Sequence, residues 1–187
     1  MYLNGYLSQQ KQSSGESVSR TAVPLLDPAQ LLLAISGRST STAPLVRWAR
    51  ELGDIHAGLI PLKIGPQSHR NDVSYLRGHA EVDRIISEID AWALRQVPRA
   101  KCARKHTHSL GEVVSHVAKT YAHAWWVMLH TADGELQHKA WFHVSEVREG
   151  YAEMLNEIRA HHLQLPSGAI DIRIIEREGN GPHGGAA

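Results

Sequence analysis

Residues 109–166 read SLGEVVSHVAKTYAHAWWVMLHTADGELQHKAWFHVSEVREGYAEMLNEIRAHHLQLP. Ser109-Leu110-Gly111-Glu112 has the Ser-x-x-Glu form of a capping box, which satisfies two of the amides left without partners at a helix start. Val113, Val114, Val117, Tyr121, Trp125 and Met128 follow at helical steps, until Thr131-Ala132-Asp133-Gly134 breaks the pattern. A second stripe of Leu136, Ala140, Val144, Val147, Tyr151, Met154 and Ile158 runs to a stop before Pro166. Amphipathic helices of this length gain most of their stability by burying such stripes on other elements. Two of them in tandem predict an all-α bundle.

Working outward, Asp27-Pro28 supplies an N-cap with proline at the first helical position, and Gly37 closes a short leading helix. Thr42-Ala43-Pro44 opens the next helix, in which Leu45, Trp48, Ala49, Leu52, Ile55, His56 and Leu59 share one face. Pro61 and Gly65-Pro66 are expected to end it. A third long helix is expected from Asn71 or Asp72 to Pro98, weakened early by Gly78, with Val82, Ile85, Ile86, Ile89, Trp92 and Ala93 facing the core. The expected architecture is an antiparallel bundle of four main helices plus the short leading one, over residues 23–166. A polar, flexible arm over 1–22 precedes it, and a flexible, extended, Gly-rich tail over 167–187 follows. Within that tail Ile170-Asp171-Ile172-Arg173-Ile174 alternates like a strand, expected to pair across a dimer or to lie along the bundle.

A chain of 187 residues fits one domain with a sizeable core. Its formal charge of +1 excludes strong whole-molecule attraction to nucleic acid or anionic lipid, leaving only local patches. A single cysteine, Cys102, forms no internal disulfide and no cysteine-based zinc site. Its neighbours Lys101, Arg104 and Lys105 would favour a thiolate, but no acid–base partner is evident. The first 20 residues lack the charged start and apolar run of a signal peptide, and no stretch approaches the ~20 apolar residues of a membrane span. A cytoplasmic protein without a cofactor is expected.

His106-Thr107 with Leu110-Gly111 and Val113-Val114 resembles a motif in a group of actinobacterial proteins that share the domain of unknown function numbered four-two-five-four. Glu51-Leu52 with Ile55-His56, Glu88-Ile89-Asp90-Ala91-Trp92, and Gly150-Tyr151 through Glu157-Ile158-Arg159 to Leu165-Pro166 are similar to that group in the same order. The chain departs from the group's pattern at Ser115 and His116, where an acidic and a basic residue are usual. The resemblance implies a helical fold and a bacterial origin, and attaches no activity.

The strongest candidate site is basic. Ala91 to Gly111 contains no carboxylate, while Arg95, Arg99, Lys101, Arg104 and Lys105 lead through His106, Thr107 and His108 into the helix start at Ser109. Fixed positive charges beside free amides suit a phosphate, a nucleotide or a nucleic-acid backbone, with Arg99, Lys101, Arg104, Lys105, His106 and Ser109 as the anion-binding set. The plainer alternative is a solvated loop balanced by acidic neighbours. His116, His123 and His130 recur every seven residues on a line with Glu112 and Lys119. Residues that far apart are ~10 Å apart along a helix, too distant to share one metal, so only Glu112 with His116 has ligand spacing. A solvent-facing or interface stripe is the simpler reading. Glu135-Leu136-Gln137-His138 is the sole Glu-x-x-His, which excludes a di-iron bundle site.

His56 lies mid-face in its helix, and Asp90 falls at the edge of another. A histidine so placed is usually a satisfied core group; the functional alternative is a polar cluster with Asp90, Tyr151 or His162, and His56 with Asp90 is the candidate acid–base pair if the chain is an enzyme. Trp141 and Phe142 point away from the main stripe and suggest a second packed surface. The expected function is therefore a non-catalytic interaction or regulatory module that pairs as a homodimer or with a protein partner. Phosphate or nucleic-acid binding by the loop 95–108, and a small enzyme on His56 and Asp90, are the alternatives.

Overall fold

The computed structural model describes residues 24–64, 73–100 and 102–166. Asp27 starts helix α1 (Pro28–Ile35) with a reciprocal capping box: its carboxylate accepts from Gln30 N at 2.8 Å, and the Gln30 side chain accepts from Asp27 N at 3.1 Å. Gly37 ends it at φ +71°, the left-handed backbone that glycine adopts without penalty. Helix α2 (Pro44–Ile64) runs past Pro61, where an end was expected. Pro61 lies in the exposed final turn, where the single hydrogen bond it removes costs little of the helix. Gly65-Pro66 lies outside the described residues.

Helix α3 (Val73–Gln96) returns antiparallel to α2. Trp48 Nε1 donates to Glu88 at 2.7 Å, Arg84 bonds Glu51 at 2.9 Å, and Leu59 packs on Gly78, so one helix ascends as the other descends. Helices α4 (Leu110–His130) and α5 (Gly134–Arg159) form the hairpin read from the sequence. Ser109 caps α4 by accepting from Glu112 N, while the Glu112 carboxylate accepts from Ser109 N at 2.6 Å. Asp133 caps α5 by accepting from the amides of Glu135 and Leu136. All-α is the fold class.

Helix α4 is the axis of the bundle. It touches α1, α2, α3 and α5, whereas α5 reaches only α4, α1 and a short strand. Its buried set is accordingly broader than one stripe: Leu110, Gly111, Val114, Ser115, Val117, Ala118, Thr120, Ala122 and Ala124. Small residues let several helices approach at once. Trp125 and Met128, expected in the core, are exposed instead, as is Leu136 at the start of α5. Neither α4 after Ala124 nor α5 before Val144 contains a buried residue, because α1 to α3 do not cover the hairpin's turn.

Two short strands close the other end. Strand β1 (Arg104–Lys105) pairs in parallel with β2 (Leu163–Gln164), with Arg104 opposite Leu163 and Lys105 opposite Gln164. Arg104 N donates to His162 O at 3.1 Å and His106 N to Gln164 O at 2.9 Å. Two-residue strands carry no periodicity, which is why 98–108 reads as plain loop. The segments 1–22 and 167–187, with the strand expected at 170–174, lie outside the described residues.

Candidate functional site

The α4 start, where an anion was expected, already holds two carboxylates of the chain itself. Asp90 in α3 accepts from Gly111 N at 2.8 Å, and Glu112 accepts from Ser109 N. The amides of Ser109, Gly111 and Glu112 thus have partners within the chain, two of them carboxylates that suit the helix dipole. Burial raises the Asp90 carboxyl above its ordinary range, against the hydrogen bonds from Ser109 and Gly111, and nearby Glu112 adds to the rise. Of the basic loop, Arg104 pairs with Glu157 at 2.6 Å, and Arg99 and Lys105 are exposed. His106 Nδ1 lies 2.8 Å from the His108 carbonyl, and Ser109 is buried at the cap. Lys101 is outside the described residues. Cys102 is exposed, with φ at 64°.

His56 and Asp90 have separate partners. The imidazole is buried, and its Nε2 shares a hydrogen bond with Ser115 Oγ at 3.0 Å. The Tyr151 hydroxyl donates to Leu26 O at 2.8 Å, and His162 is exposed, so the alternative cluster with Asp90, Tyr151 or His162 is not assembled around His56, which is a buried, hydrogen-bonded core histidine. Burial, and then Lys119, His123, His79 and His116, hold His56 down to about 4. His56 is thus a neutral hydrogen-bonding group at the floor of a cleft between α2, α3 and α4. Lys63, Tyr75, His79, Lys119 and His123 form the polar part of the same cleft, a cavity of about 80 Å³. A wider hollow of about 330 Å³ between α4 and α5 shares Lys119 and His123 and continues over Ala124, Val127 and Ala140.

The histidine stripe therefore divides by surroundings. His123 borders the cleft, His116 meets the His143 ring edge-on at 6.4 Å, and His130 stacks on Trp126 at 3.7 Å. Among the described residues no three His, Cys, Asp or Glu side chains are placed to hold one metal ion. Glu112, half of the weak metal pair, is engaged at the α4 cap, while His116 lies beside it on a hollow of about 520 Å³ with Val113, Val147 and Met154.

The hairpin's turn carries the remaining feature. Trp141 is not on an outer surface as expected; it packs edge-on against Tyr121 at 5.7 Å and Trp125 at 6.5 Å. Its Nε1 is the one buried side-chain polar atom without a hydrogen-bond partner among the described residues. Phe142 does face outward, 58% exposed, together with Leu129 at 63% and Leu136 at 45%. Trp125 and Met128, late in α4, are exposed as well, at 43% and 39%. Sequence reasoning missed the cationic cleft because its members come from three helices, none with a motif. It assigned Trp125, Met128 and Leu136 to the core because helical spacing does not say where the covering helices stop.

Compared with family models, curated proteins and solved structures, the chain matches none.

Proposed function

We propose that the chain is a non-catalytic interaction module that associates with a second copy of itself through the tip of the α4–α5 hairpin. The observation that carries this reading is the apolar surface of Leu129, Leu136 and Phe142, flanked by Trp125 and Met128, on helices with no buried residue there. Burying a large apolar side chain fully contributes about 1.5–3 kcal/mol, and a two-fold axis through the tip counts each one twice. Two hairpins meeting in this way would form a local four-helix arrangement, the usual cover for paired amphipathic helices. Charges of both signs, such as Glu135 and Lys139 in their ion pair at 2.6 Å, surround the patch and suit a polar rim.

A cytoplasmic setting belongs to the same proposal. An exposed single thiol, Cys102, stays free most readily in a reducing compartment. No helix among the described residues is long and apolar enough to cross a membrane.

The test is the mass in solution of the full chain by light scattering at micromolar concentration, beside Leu129→Glu/Phe142→Glu. The expected result is a dimer that the double substitution converts to a monomer of unchanged helicity. A wild-type monomer, or a dimer that survives the substitution, overturns the reading.

A further inference from the structure

The charges around the α2–α3–α4 cleft are one-sided. Lys63 comes from the last turns of α2, His79 from α3, and Lys119 and His123 from successive turns of α4, with Tyr75 and His56 completing the polar wall. No carboxylate lines the cleft among the described residues, and neither lysine forms an ion pair with a described residue. Acidic groups are not scarce in this chain, which has 19 Asp and Glu against 20 Lys and Arg. Elsewhere they are spent on cations: Arg84 alone engages Glu51, Glu81 and Glu88, Arg104 takes Glu157, and Lys139 takes Glu135. Two lysines in one concave site with no carboxylate to offset them give it a positive potential that a bound anion would neutralise.

We propose that this cleft binds a phosphate-class oxyanion, inorganic phosphate or the phosphoryl group of a phosphomonoester, between Lys63 and Lys119 with His79 and His123 as further donors. The cavity of about 80 Å³ has room for one such group. Lysine ammonium groups meet a phosphoryl oxygen as charge-assisted donors, and imidazoles and a tyrosine hydroxyl add directional hydrogen bonds. The larger hollow beyond Lys119 and His123 would take the organic body of an ester, because Ala124, Val127 and Ala140 give it an apolar wall. The phosphate cleft shares no residue with the hairpin tip or with the loop at 99–108, so it stands without the self-association reading.

Calorimetric titration of the full chain with sodium phosphate at neutral pH tests it, against Lys63→Met/Lys119→Met and against Arg99→Gln/Arg104→Gln/Lys105→Gln. Both lysines are exposed, so helicity by circular dichroism should be preserved in the first variant. The expected result is saturable one-site binding, weakened at least about tenfold by the lysine substitutions and unchanged by the loop substitutions. Phosphate should also shift the imidazole resonances of His79 and His123 in the wild-type chain. Absence of binding up to ~10 mM phosphate overturns the proposal, as does affinity that survives the lysine substitutions or is lost with the loop ones. Phenyl phosphate in a parallel titration distinguishes the sources. Tighter binding that Val127→Asp removes supports an ester ligand, and equal affinity supports inorganic phosphate.

Discussion

His56 shows how burial and neighbouring charge act together on a single side chain. Its imidazole sits against Ser115 on one side, with Lys119, His123, His79 and His116 acting on it from α3 and α4. Each of these disfavours the protonated ring, and burial disfavours it most. The unfolded chain, with an ordinary value near 6.5, therefore binds this proton more tightly than the folded chain at about 4. Above the ordinary imidazole range the group leaves stability unaffected. As pH falls through that range the unfolded state gains protons first, and stability drops by up to about 3 kcal/mol before levelling below the folded value. His116 and His123 are lowered as well, each chiefly by burial, and so bend the curve the same way. Asp90, raised by burial, acts with the opposite sign in the more acidic carboxylate range. Denaturant titrations from pH 7.5 to 4 should show His56→Gln with a shallower loss than the wild-type chain. Equal slopes would mean that the ring is not held neutral.

Between elements, the α3–α4 crossing is set by one glycine. A Cβ at position 111 would stand 2.5 Å from Ile86 O and 2.9 Å from Ile86 Cα, and both are backbone atoms that cannot swing aside. Gly111→Ala should therefore cost about 1–3 kcal/mol, read as a lower melting temperature. A melting temperature equal to that of the wild-type chain would show that the helices separate at no cost. The Ser109 capping box, the Asp27-Pro28 start and the faces of α2 and α3 were legible in the sequence because each is local, fixed by residues within a turn or by helical spacing. What was not legible is what depends on a distant neighbour. Gly111 reads as an ordinary early helix position until Asp90 and Ile86 are beside it. Gly78 reads as a weak point in α3 until Leu59 occupies the space a Cβ would need, at 2.6 Å. The candidate site followed the same rule. The basic run around Arg99 to Lys105 is visible because it is contiguous, while the cluster of Lys63, His79, Lys119 and His123 is dispersed along the chain.

In the whole molecule α4 serves as an axis with α1, α2 and α3 gathered on part of its circumference and α5 on the rest. Arg84 fastens α2 to α3 at the surface through Glu51, and Trp48 adds an edge-on contact with Trp92 at 6.3 Å. The outer helix α5 is tied to β1 by Arg104 and Glu157, and to the start of the bundle by a hydrogen bond that spans 125 positions, from Tyr151 to the carbonyl of Leu26. That bond has a consequence for the order in which the bundle assembles. Consecutive helices pair throughout the bundle, whereas docking the Leu26 segment on α5 closes a much longer loop and is expected to follow them. Such a contact is expected to form late on the folding route, after the rate-limiting barrier. Tyr151→Phe, which removes the hydroxyl and keeps the ring, should accelerate unfolding several-fold in stopped-flow measurements and leave the refolding rate nearly unchanged. A refolding rate slowed in proportion to the lost stability would place the closure of the bundle at its nucleus instead. With the late order, the Leu26 segment, synthesised before every helix of the bundle, would be the last to lock, waiting until α5 has been made and folded against α4.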